Sequence, residues 1–211
     1  MSAVPARVVC VSHSTGSYGA QVAALVASRL GYRYLDEEIV VWAAGKEGLE
    51  PDDVADAERL KSFWRRLFSD VPPHVVIDAG AGYGALVGAE AARLPPLEAY
   101  RQLIRDVIAD TAEQGEVVIV AHAASMALAG RPSVLRVLVT ASTDVRVARQ
   151  QGDAKAARRT IAESDAGRAD YLKRFYGIDR ELPSHYDLVI NTDTLSTEQA
   201  ASIVEQAARV I

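Results

Sequence analysis

The chain has 211 residues, 49% of them hydrophobic and 24% charged, enough for a substantial core in what is most simply a single domain, 1–211. A formal net charge of -5 at pH 7 argues against a nucleic-acid binder, which relies on a basic surface. One cysteine, Cys10, rules out a disulfide framework within the chain; the opening MSAVPARVV is no signal peptide, no stretch is as long as a membrane span, and the expected location is the cytoplasm.

The first predicted element is a strand over 8–11, where Val8, Val9 and Val11 make a continuous apolar run that suits burial on both faces of a parallel sheet. Cys10 within it reads as a small core residue. Gly16 and Gly19 then allow a tight turn, Ser17 is expected to cap the next helix, and Val22, Leu25, Val26 and Leu30 recur at helical spacing over 20–30. Gly31 stands where a left-handed C-terminal cap belongs. A strand that turns through glycine into a helix is the scaffold of a phosphate-binding loop, because the helix's first N–H groups and its dipole favour an anion. The candidate phosphate-binding residues are Ser14, Thr15, Gly16, Ser17, Tyr18, Gly19, Ala20 and Gln21. A full nucleotide loop continues as G-K-[ST], whereas Gly19 stands here at the lysine position and Ala20 at the hydroxyl position. A turn that binds no ligand is the other reading of this spacing.

Further strands are predicted over 32–35, 117–120, 135–140 and 188–190, and helices over 37–46, 52–68, 97–114, 143–150, 155–176 and 197–209. Ser196 is placed to start the last helix, with Glu198 in its first turn. Strands alternating with helices point to a parallel α/β sheet that binds ligands at the carboxyl ends of its strands. Between residues 70 and 96 the composition shifts to Gly, Ala and Pro. The glycines of 79–90 suit a mobile substrate loop or a subunit contact better than a second phosphate loop, and the stretch 80–92 makes a homodimer a candidate assembly.

Residues 12–19, SHSTGSYG, and then Leu30, Gly31 and Asp36 resemble the S-R-x-x-G-S-G-G and L-G-x-x-x-x-D segments of the cytidylate kinase-like family, a branch of the P-loop nucleoside monophosphate kinases. VVIVAHAASMALAGRPSVLRV is similar to a later family strand and its R-P-x-V-L-R-V continuation. Asp165, Arg168, Tyr171, Tyr176 and Gly177 resemble a D-x-x-R-x-x-Y-x-x-x-x-Y-G run, and Tyr186, Asp187, Leu188 and Asn191 a terminal Y-D-L-x-x-N. The matches keep their order over nearly the whole chain.

The resemblance implies a P-loop NTPase-type five-stranded parallel sheet flanked by helices, with a helical acceptor-binding insertion and a helical lid. The core would be 6–36, 97–150 and 185–211, the insertion 37–96 and the lid 153–180. Phosphoryl transfer needs positive charge and alignment around the moving group, and Arg158, Arg159 and Arg168 in the lid are the candidates to supply it, with Asp165 as lid support. A solvated basic helix face is the alternative for those arginines. Asp36 is a candidate to meet the acceptor or a magnesium-bound water, and equally to cap a helix opening at Glu37; Asn191 and Thr192 fall in the donor-base region. The implied partners are ATP with Mg2+ and a nucleotide or phosphorylated small molecule, with no resident metal site and no membrane.

Tyr18 replaces a family glycine, His13 an arginine, and Ala121 and His122 a Gly-Arg pair. In the P-loop strand order His13 and His122 would emerge side by side at the phosphate turn, where they could form a pH-sensitive anion site, hold a metal, or simply be hydrogen-bonded strand-end residues. Tyr18 could stack on a base or fill the γ-phosphate space. Two functions follow: an ATP-dependent kinase of a nucleoside monophosphate or related small acceptor, and a catalytically impaired nucleotide- or phosphate-binding relative serving as a sensor or interaction module.

Overall fold

The computed structural model describes residues 5–36, 105, 108–121 and 124–211. The predicted helices over 37–46 and 52–68, the insertion 37–96 with its glycine-rich 79–90, the proposed homodimer contact and His122 lie outside the described residues. Five strands are described: β1 (Val8–His13), β2 (Arg33–Asp36), β3 (Val117–Val120), β4 (Val134–Thr140) and β5 (Leu188–Asn191). They form one sheet in the order β2-β3-β1-β4-β5, and every neighbouring pair is parallel. The helices are α1 (Gly19–Leu30), α2 (Ala124–Ala127), α3 (Thr143–Ala148), α4 (Ala154–Tyr176) and α5 (Thr197–Val210), with a helical stretch over 108–114 before β3 and a 3-10 turn at Pro183–His185.

The apolar runs became strands because a central parallel strand is covered on both faces. Val9 and Val11 of β1 pack on one side with Val22 and Val26 of α1 and Val204 of α5, while Val118, Leu135, Val137 and Val139 extend the same layer across the sheet. Ala23 and Ala27 of α1 and Ala200, Ala201 and Ala208 of α5 are all buried there, and their small size lets the two helices lie side by side on the sheet. Strand periodicity turns Cys10 to the other face. Complete burial pushes its thiol up to about 12, so Cys10 is an inert core residue, as the sequence suggests.

The helix ends follow local chemistry. Gly31 closes α1 in the left-handed conformation, φ 69°. Ser196 and Gln199 form a reciprocal capping box at α5, with Gln199 N donating to Ser196 Oγ at 3.2 Å and Ser196 N to Gln199 Oε1 at 2.9 Å. Asp153 caps α4, accepting from Ala156 N at 2.8 Å. α4 is mostly exposed; Ala157 and Ile161 anchor its first half on Val147 of α3.

Candidate active site

A parallel sheet sends every carboxyl end to one edge, so His13, Asp36, Thr140 and Asn191 end their strands on the same side of the molecule. There the chain turns from β1 into α1. Ser14 N donates to Val139 O at 3.1 Å and Ser17 N to Ser14 O at 3.0 Å, tying the turn to β4. Ser17 does not cap the helix: its buried hydroxyl donates to Val139 O at 3.0 Å, and the N-cap is Tyr18, held at φ 61° with no side-chain hydrogen bond. Serine's preference for caps is overridden because the turn sinks its side chain against β4.

α1 therefore opens with neither a side-chain cap nor an acidic residue in its first turn. The N–H groups of Gly19, Ala20 and Gln21 have no acceptor within the helix, and the dipole places about half a positive charge at that end. This is the geometry of an anion site. Gly16 sits at φ 82°, and a Cβ there would come within 3.1 Å of both Cβ and the carbonyl oxygen of Arg146. At Gly19 a Cβ would lie 2.1 Å from His13 Cβ, so only glycine fits against this histidine.

Two residues of the site escaped sequence analysis. Arg146, at 5% exposure, donates to Thr15 O at 3.3 Å and holds Asp165 with two bonds of 2.9 and 2.6 Å. Arg149 donates to Gly16 O at 3.2 Å, to Thr192 Oγ1 at 3.1 Å and to Thr192 O at 2.5 Å, and its guanidinium lies 4.3 Å from the centre of the Tyr18 ring. Both arginines thus grip the carbonyl side of the turn from α3 and the residue that follows it. Their spacing of three on a short helix after β4 places them on one face, the pattern that could have revealed them.

Asp165 of α4 is held by Arg146 of α3, the closer of their two bonds being 2.6 Å. Beside it, the hydroxyls of Thr15 and Ser164 meet at 2.6 Å, so α4 is joined to the turn between β1 and α1 directly at Ser164 and through Arg146 at Asp165. Arg168 is 9% exposed and lies in a buried network. Its Nε and one terminal nitrogen donate to Glu181 at 2.9 and 2.5 Å, and the latter also to the Tyr186 hydroxyl, which in turn donates to Glu181. Burial alone pushes the Glu181 carboxyl up, but the hydrogen bonds and charge of Arg168 outweigh it, and the net shift is downward. Burial raises the Tyr186 hydroxyl. Arg158 pairs with Asp144 at 2.8 Å and Arg159 with Glu163 at 2.7 Å, both on the exposed side of α4.

Asp36 accepts from the Tyr34 hydroxyl at 3.1 Å at the end of β2. Asn191 Oδ1 accepts from Asp193 N at 2.9 Å, the turn role open to an asparagine at a strand end. Thr192 is buried beneath the turn between β1 and α1 and donates to Ser17 O at 2.9 Å. His13 ends β1 half-buried beside Gly19, with Nδ1 3.4 Å from Ser14 O. Among the described residues no group of three or more His, Cys, Asp and Glu side chains could hold a metal ion. No helix among them is long and apolar enough to cross a membrane.

Comparison with known proteins places this edge in context. The family model described as "Cytidylate kinase-like family" matches residues 8–194. A cytidylate kinase of Methanopyrus kandleri is 31% identical over 110 residues, a match that covers 46% of this chain and 57% of that kinase's length. Among solved structures, an uncharacterized protein from Eubacterium ventriosum ATCC 27560 has the same fold at a TM-score of 0.60 and 16% identity, over 95% of this chain and 97% of that one. A shikimate kinase from Bacteroides thetaiotaomicron aligns at a TM-score of 0.49 and 13% identity, over 95% and 97% of the two chains. The matched span runs from the first residue of β1 past the end of β5 and takes in the phosphate turn, both of its arginines and α4, and the chain belongs to the cytidylate kinase-like family.

Proposed function

We propose that the protein transfers a phosphoryl group from ATP, carried with Mg2+, to a nucleoside monophosphate or a related small phosphorylated acceptor. One observation carries this reading: the uncapped, acid-free N-terminus of α1 follows a glycine turn whose carbonyls are held by Arg146 and Arg149 at the carboxyl edge of the sheet. In this reading residues 14–21 receive the donor phosphates, Asp36 lies toward the acceptor, and α4 brings Arg158, Arg159 and Arg168 over both. Donor and acceptor are aligned by the rigid sheet, and N–H groups with arginine charge balance the phosphoryl oxygens, the two contributions on which phosphoryl transfer chiefly depends. Mg2+ would arrive on the nucleotide, with Asp36 as the nearby strand-end carboxylate able to order its water shell. The single buried cysteine suits work in the cytoplasm.

Arg168 favours a second reading, a nucleotide- or phosphate-binding relative that has lost transfer. Its guanidinium is committed to Glu181 and Tyr186, and it must leave that network to reach a phosphate. A coupled assay with ATP against a panel of nucleoside monophosphates, run beside thermal melts with each nucleotide, separates the two. Turnover with at least one acceptor is the expected result. Stabilisation by nucleotide without turnover would leave the binding reading, and a chain that neither turns over nor gains stability would sink both, since a ligand bound to the native state must raise its melting temperature.

A further inference from the structure

We propose that His13 takes the part a lysine plays in other phosphate-binding loops, as the side-chain donor to the phosphate held by the turn, and that this exchange keeps position 19 a glycine. The inference rests on reading the turn as a nucleotide-phosphate site. In the full loop the lysine springs from the start of the helix and folds back over the turn to the β and γ phosphates. Here the first residue of α1 is the buried Gly19, and a Cβ built on it would meet His13 Cβ at 2.1 Å, Cγ at 2.6 Å and Cδ2 at 3.2 Å. Unbonded carbons rest about 3.5–4.0 Å apart, so the root of a lysine and the root of this imidazole claim one volume.

His13 cannot step aside cheaply. It is the last residue of the central strand, in register with Val139 of β4, and the next residue is tied to β4 through Ser14 N and Val139 O. The two arginines that reach the turn do not fill the lysine's role, because Arg146 and Arg149 donate to the carbonyl oxygens of Thr15 and Gly16. An imidazole protonated on both nitrogens is a cation with two N–H donors, the chemistry that a phosphate oxygen accepts from lysine.

Calorimetric titration with ATP tests the exchange. His13→Phe keeps a flat ring beside Gly19 but has no N–H; the protein should keep its far-ultraviolet circular dichroism and bind ATP about 10- to 100-fold more weakly, the loss expected for a charge-assisted hydrogen bond. Gly19→Lys alone should melt at a lower temperature than wild type, whereas His13→Gly combined with Gly19→Lys, which removes the Cβ at position 13 as well as the ring, should recover both melting temperature and ATP affinity. If the double variant fails to fold, the His13→Phe titration decides. A His13→Phe protein that binds ATP as tightly as wild type overturns the exchange and leaves the nucleotide site standing. Gly19→Lys that melts and binds like wild type overturns it too, and a wild-type protein that binds no ATP removes the site and the exchange together.

Discussion

Arg146 is a buried cation that touches the turn between β1 and α1 directly. Its guanidinium touches Thr15 O on one side and Asp165 on the other, so a single buried cation fixes both the turn and the helix that covers it. Asp165→Asn leaves that cation with a neutral partner. The variant should lose about 1–3 kcal/mol of stability in urea unfolding, the range for weakening a charged hydrogen bond at a buried group. Gly16→Ala attacks the same contact from the other side. Alanine at φ 82° costs about 1–2 kcal/mol, and its Cβ would press on the Arg146 backbone, so reduced phosphate affinity should accompany the lower melting temperature. Sequence alone shows the glycines and hydroxyls of this turn but not the arginines behind it. Arg146 and Arg149 follow β4, more than 120 residues beyond the turn, and only strand order brings them there. The dense basic run of α4 is conspicuous in the sequence by contrast, and there Arg158 and Arg159 are exposed and pair with Asp144 and Glu163.

The strands and most helix ends of the described elements were legible because each has a local cause. Continuous Val and Ile runs need no distant information to read as buried strands, and β3 falls on residues 117–120 as the pattern predicts. Asp153 and Gly177, which sequence reading does not single out as caps, bracket α4 in the structure, one accepting from Ala156 N and the other taking a left-handed φ of 65°. The opening of α1 was misread where a local rule met a tertiary contact: Ser17 has the chemistry of a cap but points at Val139. Ser196 has the same chemistry and a free choice, and there the rule holds. Ser196→Ala should therefore destabilise the protein by about 0.5–2 kcal/mol in denaturant titration, whereas Ser17→Ala should act through the loss of a buried bond to β4 and lower ligand affinity as well.

At the scale of the whole molecule, acid should uncouple α4 from the sheet. The Glu181 carboxyl is held below its ordinary value by Arg168 and that of Asp187 by its hydrogen bonds to Arg136. A depressed carboxylate contributes stability that is present above its unfolded pKa, about 4 for both types, and lost as pH falls through the lower folded value. Melting temperature should accordingly hold through neutral pH and fall below about pH 4. Glu181→Gln should start lower and fall less steeply in that window, and equal slopes for the two proteins would exclude Glu181 from the acid response. Periodicity cannot say which strand lies beside which; the resemblance sets β1 beside β3, and the full order β2-β3-β1-β4-β5 comes from the structure.

That order also dates the site within the life of the chain. Thr192 braces the phosphate turn from a point 175 residues downstream of Ser17, and β1 has no partner until β3 and β4 exist. Among the described residues the supports of the turn from Val139, Arg146, Arg149 and Thr192 are all encoded after it, and Thr192 only after β5. Nascent chains released before Thr192 should stay blind to phosphate however well α1 is formed. In the proposed function, ligand capture would thus report completion of the sheet, and a bound nucleotide would hold together the two ends of the fold that synthesis separates most in time.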